Sequence, residues 1–466
     1  MQAPSILSRS SLLSVLLLGS AAGAQGLTQL GPGIAQAISA DGTTIVGGSN
    51  GAWRWTAATG QVSLNGADAV GVSGDGTTVF GRDGSSPTTG ALWTSANGWQ
   101  SIGSLPGGSG GCPDLSNPYN LSDGGDVATG LGWDGCSAFA FRWSSANGFE
   151  QLPQQGPFSS RGNDVSGDGT HVGGWDEAGN GTRRAAVWFP DGSEQLILEG
   201  TSGNAAGAGE VWGFSTDGSW ISGIGGSEAF RYSASTGAEY VGSIPGFQGA
   251  TLMAISDDGK TAVGFAGIAF FGITAIIWTE SGGLQRFRDY AQNELGITLP
   301  GNLDFQILND MTPDGRKLVG YVAQDAGPFS EKTAVMIELP ESCGATPYGV
   351  GASPVNALDL AGGGSTSVGG TFLATTSGSN GATTLTALSL ASASLPFQGG
   401  VALVDPGLVI SVFSEVPVGG SSTNAIPIPP SAGLANLSVY LQSLSDDAGQ
   451  PFGWALSNGL ELKICP

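Results

Sequence analysis

The chain has 466 residues, 81 of them glycine, with only 11% charged residues and a formal net charge of −23. The length allows one large repeat domain plus a second unit, and the glycine content suits many short strands and tight turns rather than helices. The negative charge argues against nucleic acid and anionic membrane surfaces as partners.

Residues 1–24 read as a secretory signal peptide. Arg9 gives a positive start, Leu12–Leu18 an apolar core, and Ala22-Gly23-Ala24 a small-x-small cleavage site. The mature chain is therefore expected to begin at Gln25 and to be extracellular or on the cell surface. The apolar run is too short to span a bilayer. Export permits disulfides, and the four cysteines are an even number.

From there to about Leu339 one pattern recurs seven times, best seen in Val165–Gly174, VSGDGTHVGG. An apolar residue precedes a Ser or Thr, and three residues later comes a glycine: Gly42, Gly76, Gly125, Gly169, Gly218, Gly259 or Gly315. A second glycine follows five residues on, and Asp precedes the turn glycine in six copies. Asp-Gly supplies a residue that tolerates the left-handed region followed by one that prefers it, and the hydroxyl can accept from a turn N–H. At a period of about 45 residues, with four strand-like runs per period, this is the sequence form of a β-propeller.

GLTQLGPG at 26–33 matches the ends of other repeats, GWQSIGSLPG at 98–107 and GAEYVGSIPG at 237–246. It is a fourth strand without a first three, while the seventh repeat stops after its third strand at Val335–Leu339. The N-terminal strand is therefore expected to complete the last blade of a seven-bladed propeller over 26–339, which removes exposed edges.

Each third strand carries an aromatic, Trp55, Trp93, Trp143, Trp188, Tyr232 or Trp278, with Ile337 in the last copy. These are expected as packing between blades, not as a sugar-stacking surface. Trp53, Trp99, Trp133, Trp175, Trp212 and Trp220 fall off that position and are the candidates for exposure. His171, the only histidine, occupies a mostly polar repeat position and is expected on the surface, without a catalytic partner. The turn aspartates Asp41, Asp75, Asp168, Asp217, Asp258 and Asp314 are explained by the turn. Arg54, Arg142 and Arg231 recur in three blades only and read as surface charges or blade-to-blade hydrogen bonds.

The runs AISADGTTIVGG, GAWRWT, AFRW at 140–143 and AFRY at 229–232 resemble the HAF-type extracellular repeat of bacterial secreted proteins. So does the stretch 286–339, where a short amphipathic helix (286–295) leads into MTPDGRKLVGY. The resemblance covers about residues 26–339, implies architecture, and brings no catalytic residues with it.

The third repeat holds an insertion, GGSGGCPDLSNPYN, followed by Cys136. A Cys112–Cys136 disulfide would tie the insertion to its blade, worth about 3.5 kcal/mol from chain entropy. From Pro340 the composition shifts, and residues 341–466 show alternating runs at 366–376, 382–394, 399–415, 433–443 and 453–464. This reads as a β-sandwich, with Cys343 and Cys465 placed to lock its ends. It resembles the C-terminal β-domains of secreted bacterial proteins.

The functional expectation is a secreted, non-catalytic, monomeric protein that binds an extracellular glycan or protein. Its candidate contacts are Asp114 and Tyr119 in the 108–120 insertion and Trp175, Asp176, Arg183 and Arg184 in a 175–184 loop. No cofactor is expected; Ca²⁺ on the acidic stretch Asp114–Asp126 is the one candidate. The alternative is a secreted polysaccharide hydrolase or lyase, sialidase-like or another glycosidase, with its site in the propeller channel. A convergent set of carboxylates with Arg or Tyr at the channel would favour the enzyme; a Gly/Ser/Thr-lined channel would disfavour it.

Overall fold

The structure is a computed structural model. It describes residues 26–465, apart from 50, 86–88, 105–114, 135–136, 156, 178–181, 198–208, 269–271, 325–329, 341–343, 350–357, 379–382, 398–399, 435–436 and 448–452. The signal-peptide reading, Asp114 and Cys112, Cys136 and Cys343 thus lie outside the described residues. The chain divides into Met1–Pro340 and Glu341–Pro466.

Among the described residues the first unit contains seven four-stranded antiparallel sheets, the blades of a propeller. Their innermost strands are Ile34–Ile38, Asp68–Val72, Ser116–Leu121, Ser160–Val165, Gly209–Phe214, Ala250–Ile255 and Asp304–Met311. Six blades are consecutive in sequence. The seventh takes its outermost strand from the N-terminus: Leu27–Pro32 pairs antiparallel with Thr333–Glu338. The helix is Phe287–Glu294, with Phe287 and Ala291 buried against Phe305 and Leu308 of the last blade.

The turns work differently from the Asp-in-αL expectation. Gly42, Gly76 and their counterparts have φ near +70°, but the aspartates before them are not in the positive-φ region. The aspartate is needed as an acceptor instead. Ser73 Oγ donates to Asp75 Oδ1 at 2.7 Å, the Thr77 N–H does so at 3.0 Å, and Ser73 Oγ accepts from the Thr78 N–H at 2.9 Å. The Ser/Asp part of this net recurs around Ser39, Ser166, Ser215, Ser256 and Thr312.

The residue two after each turn glycine packs over the turn glycine of the next blade. His171 therefore lies between blades, over Gly218 and 5.3 Å from the Phe189 ring, and not on an open surface. Arg54, Arg142 and Arg231 donate across to the carbonyls of Gly76, Gly169 and Gly259. Lys317 does the same for Gly42 at 3.0 Å, across the junction that closes the ring. A Cβ on Gly76 would sit 2.3 Å from Thr44 Oγ1, whereas one on Gly60 (φ +64°) meets nothing within 4 Å. Gly76→Ala should cost about 1–3 kcal/mol through both the backbone and the clash, and Gly60→Ala about 1 kcal/mol through the backbone alone. Urea denaturation of the two variants checks the difference.

The second unit is a β-sandwich. One sheet runs Gly344–Tyr348, Trp454–Lys463, Ser438–Asp446, Thr384–Ser389, Val409–Glu415. Another holds Asp359–Gly364, Thr371–Ser377 and Ser421–Pro427. Leu360, Phe372, Ile426, Leu441, Leu460 and Leu462 form the core between them. Alternation of apolar and polar residues along these strands puts one face inward, as period-two patterning requires. Cys465 is not a free thiol. Among the described residues no helix is long and apolar enough to cross a membrane.

Candidate active site

The site grows out of a defect that every blade repeats. Between the first and second strands the pairing register slips, at Ala35/Ala37, Ala69/Gly71, Pro118/Asn120, Gly162/Asp164, Val211/Gly213, Leu252/Ala254 and Leu308/Asp310. Each slip leaves one residue unpaired: Gln36, Val70, Tyr119, Asn163, Trp212, Met253 or Asn309. A bulge re-aims the side chain it frees, and all seven of these residues line one central cavity of about 450 Å³. The bulge residues form its mouth.

At that mouth the Arg161 guanidinium is held among aromatic rings, 4.9 Å from the Tyr119 centroid and 5.4 Å from those of Trp175 and Trp212. Arg161 Nη2 lies 2.8 Å from Glu210 Oε2, and its Nε donates to Asn163 Oδ1 at 2.6 Å. Arg183 stacks on Trp175 at 4.1 Å and reaches Glu210 Oε1 at 3.2 Å. Asp68 and Arg82 form a further ion pair on the wall.

Halfway down, Asp164 and Asp310 tie neighbouring blades together. Asp164 accepts from the N–H groups of Val165 and Phe214, both at 2.9 Å, and from the Asn120 amide. Asp310 accepts from the N–H groups of Ile38 and Met311, both at 2.8 Å. Phe214 and Ile38 belong to the next blade in each case. Burial pushes both carboxyls up to about 7 against these hydrogen bonds. Their folded values lie above the unfolded one, so they bind more protons in the native state and their contribution to stability falls as pH rises from about 4 to about 7. The turn aspartates oppose this at lower pH. Asp75, held low by the Ser73 hydroxyl and the Thr77 N–H, loses its stabilisation as pH falls through its depressed value. Thermal stability should therefore peak near about pH 5 and be lower by a few degrees at about pH 8. A melting series from acid to mild alkali checks this, and Asp164→Asn with Asp310→Asn should flatten the alkaline side.

The foot of the channel is a belt of main-chain bonds between turns. The Asp41 N–H donates to the Gly74 carbonyl, Gly74 to Asp123, Asp123 to Gly167, Asp168 to Thr216 and Asp257 to Pro313, all at 2.8–3.1 Å. The Thr216 N–H donates to Asp257 Oδ1 at 2.7 Å. Asp123 differs from the other channel carboxyls. It is half-buried, it lines the cavity, and among the described residues no donor holds it. Burial raises it, followed by the charges of Asp257 and Asp168. A carboxyl kept protonated above its usual range and open to a cavity can serve as a general acid.

The expected contact residues are placed as follows. Tyr119 belongs to an innermost strand, not to a loop insertion. Trp175 and Asp176 lie in the strand Val172–Glu177, and Arg183 and Arg184 in Thr182–Trp188, so the expected 175–184 loop is largely the two arms of a hairpin. Trp175 and Asp176 are buried, at 4% and 0% exposure, because strand residues alternate faces inside a packed blade. Trp53, another expected exposed ring, is buried at 5%. Tyr119, Trp175 and Arg183 come together through Arg161 and Glu210. Asp176 instead accepts from the Gln155 N–H at 2.7 Å, and Arg184 lies beside the Arg183 carbonyl. Among the described residues no group of three or more His, Cys, Asp or Glu is arranged to hold a metal.

No family model matches the chain, and no curated protein matches it. Solved structures do. TolB from Acinetobacter baumannii is 15% identical, with a TM-score of 0.35 over 48% of this chain and 57% of that one, so the match spans little more than half of TolB. Oligogalacturonate lyase from Vibrio parahaemolyticus is 14% identical, with a TM-score of 0.41 over 69% of this chain and 93% of that one. Prolyl oligopeptidase B from Galerina marginata is 10% identical, with a TM-score of 0.38 over 76% of this chain and 55% of that one. The likeness is one of fold.

The expectation of a non-catalytic protein is corrected by the channel. The channel wall holds five carboxyl-bearing residues, Asp68, Asp123, Asp164, Asp257 and Asp310, with Arg82 and Tyr119. That is the composition named above as favouring an enzyme.

Proposed function

We propose that the propeller unit is a polysaccharide hydrolase with its site in the channel, acting on glycans without acidic groups. The observation that carries this is Asp123, a raised carboxyl without a donor among the described residues, facing a cavity that Asp257 also lines. In the reaction Asp123 gives its proton to the leaving glycosidic oxygen as the C–O bond breaks. Asp257 takes a proton from the water whose oxygen bonds to the anomeric carbon, so the two carboxyls exchange roles and the proton is restored through solvent. Tyr119 and Trp212 offer faces for sugar rings, and Asn163 and Asn309 offer amides for hydroxyls. Hydrolysis is favoured over uronate elimination by charge. Among the described residues the one arginine on the channel wall, Arg82, is already paired with Asp68, and a chain of net charge −23 repels a polyanion.

The signal-like residues 1–24 and the likeness to secreted repeats support export, where such a substrate is met. Export also supports the pairings Cys112–Cys136 and Cys343–Cys465. Non-reducing peptide mapping should return these two links; a Cys112–Cys465 or Cys136–Cys343 link would reject them. Activity is tested by incubating the protein with neutral polysaccharides and with polyuronates. Reducing ends should rise with the former. An unsaturated, ultraviolet-absorbing product from the latter would replace the hydrolase by a lyase, and no turnover of any polymer would remove the enzyme.

A further inference from the structure

The channel is closed on every side. All seven blades contribute to its wall, and the N-terminal strand completes the last of them, so no slot runs along its length. Its foot is drawn in by the inter-blade belt. With hydrogen-bonded neighbours roughly 5 Å apart, a ring of seven main chains is only about 11 Å across between Cα atoms, before the carboxyls of Asp123 and Asp257 are placed inside it. The bulge residues stand four positions before the belt residues along the chain, so Gln36, Tyr119, Trp212 and Asn309 line the cavity above Asp123 and Asp257. Neighbouring blades are linked there by side chains, Asn163 on the Val211 carbonyl and Asn309 on the Ala35 carbonyl. The volume of about 450 Å³ lies in the range that encloses one small molecule, about 300–1,000 Å³.

We infer that the channel admits a glycan end-on from the bulge-lined mouth and stops it at the belted foot, so that the protein acts on chain ends and not on chain interiors. The inference rests on the hydrolase reading for its chemistry, but the entry geometry stands on the wall and the belt. A chain interior cannot reach Asp123, because a polymer laid across the mouth remains above the bulge residues. Trp212, one of the bulge residues, is the ring placed to stack on the entering sugar.

The test uses an array of neutral oligosaccharides, each printed as a linear form with one free end and as its cyclic form of equal length, probed with Asp123→Asn to prevent turnover. Binding to linear forms at least tenfold above the cyclic ones is expected. Equal binding to both overturns the inference, as does binding to neither. Trp212→Ala should reduce linear binding by about tenfold and Trp212→Phe should restore most of it; loss in Ala without rescue by Phe would overturn the stacking role. Viscosity separates the two readings. An early viscosity fall during turnover keeps the hydrolase and removes end-on entry. End-selective binding with no turnover by the unaltered protein keeps end-on entry and removes the hydrolase.

Discussion

Asp123→Asn should lower kcat on a hydrolysed polysaccharide by about 10²–10⁴, the usual worth of a general acid, while leaving the melting temperature within a degree or so. The second half of that expectation follows from the geometry. Among the described residues the Asp123 carboxyl accepts no hydrogen bond, so an amide of the same shape breaks none of their bonds. The residue's part in the belt uses its main-chain N–H and carbonyl, which the substitution keeps. Replacing a carboxyl whose ionisation burial and the charges of Asp257 and Asp168 oppose favours folding, if it changes it at all. Asp310→Asn makes the contrast, because it replaces one of two oxygens that accept from N–H groups of different blades. It should lower stability at acid pH, where the native carboxyl is best tolerated, and leave turnover the less affected of the two. Steady-state kinetics with parallel melting curves checks both. Full activity in Asp123→Asn would remove this residue as the acid.

Deleting residues 26–32 should be the most damaging small truncation of the propeller. It removes every partner of the outer edge of Thr333–Glu338, from the Leu27–Ile337 pair to the Pro32–Thr333 pair. It also removes the Gly26 carbonyl that accepts from the Glu338 N–H at 2.6 Å, and the Leu30 side chain, 4% exposed among Ile38, Ile45, Val319 and Ala334. Leu30→Ala alone should cost about 2–4 kcal/mol by the transfer and cavity terms for a buried leucine. The deletion should cost more and leave an open strand edge that pairs with other chains. Urea denaturation and size-exclusion chromatography measure the two effects. A truncated chain that is monomeric and as stable as the parent would show that the N-terminal strand does not hold the ring.

The repeat made the architecture legible and hid the site. Turn glycines such as Gly76 stand out because a positive φ and a close neighbour leave no other choice, so all seven copies agree. The strand aromatics and the orphan strand at 26–33 were readable for the same reason, recurrence. The channel is built where the copies disagree. Three residues before the Ser or Thr stand Gln36, Val70, Tyr119, Asn163, Trp212, Met253 and Asn309; one residue after it stand Ala40, Gly74, Asp123, Gly167, Thr216, Asp257 and Pro313. Read down either column, the chemistry of the channel is visible, but a search for invariants passes over it. Trp175, Asp176 and Arg183 were placed in a loop because they interrupt the repeat, and that interruption is a strand pair extended past its usual end. Asp164 and Asp310 could not be told from turn aspartates by residue type; only their acceptance of an amide from the next blade separates them.

The belt at the foot of the channel has one gap. Six junctions are crossed by a main-chain N–H of the turn; at the seventh, Pro313 stands where Gly74, Asp123, Thr216 and Asp257 donate, and it has no N–H. Farther out, the N-terminal strand and the Gly33 N–H on the Lys332 carbonyl close the junction between the last blade and the first by main chain. Along the channel wall that junction is held by side chains: Lys317 on the Gly42 carbonyl, Asn309 on the Ala35 carbonyl at 2.7 Å, and Asp310 on the Ile38 N–H. Main-chain bonds survive almost any substitution, whereas these three can be deleted one at a time. The ring is thus a split washer whose clasp is written in replaceable letters. Where chain start meets chain end, point changes can loosen the circle without disturbing any blade, and amide exchange should report the slit there first.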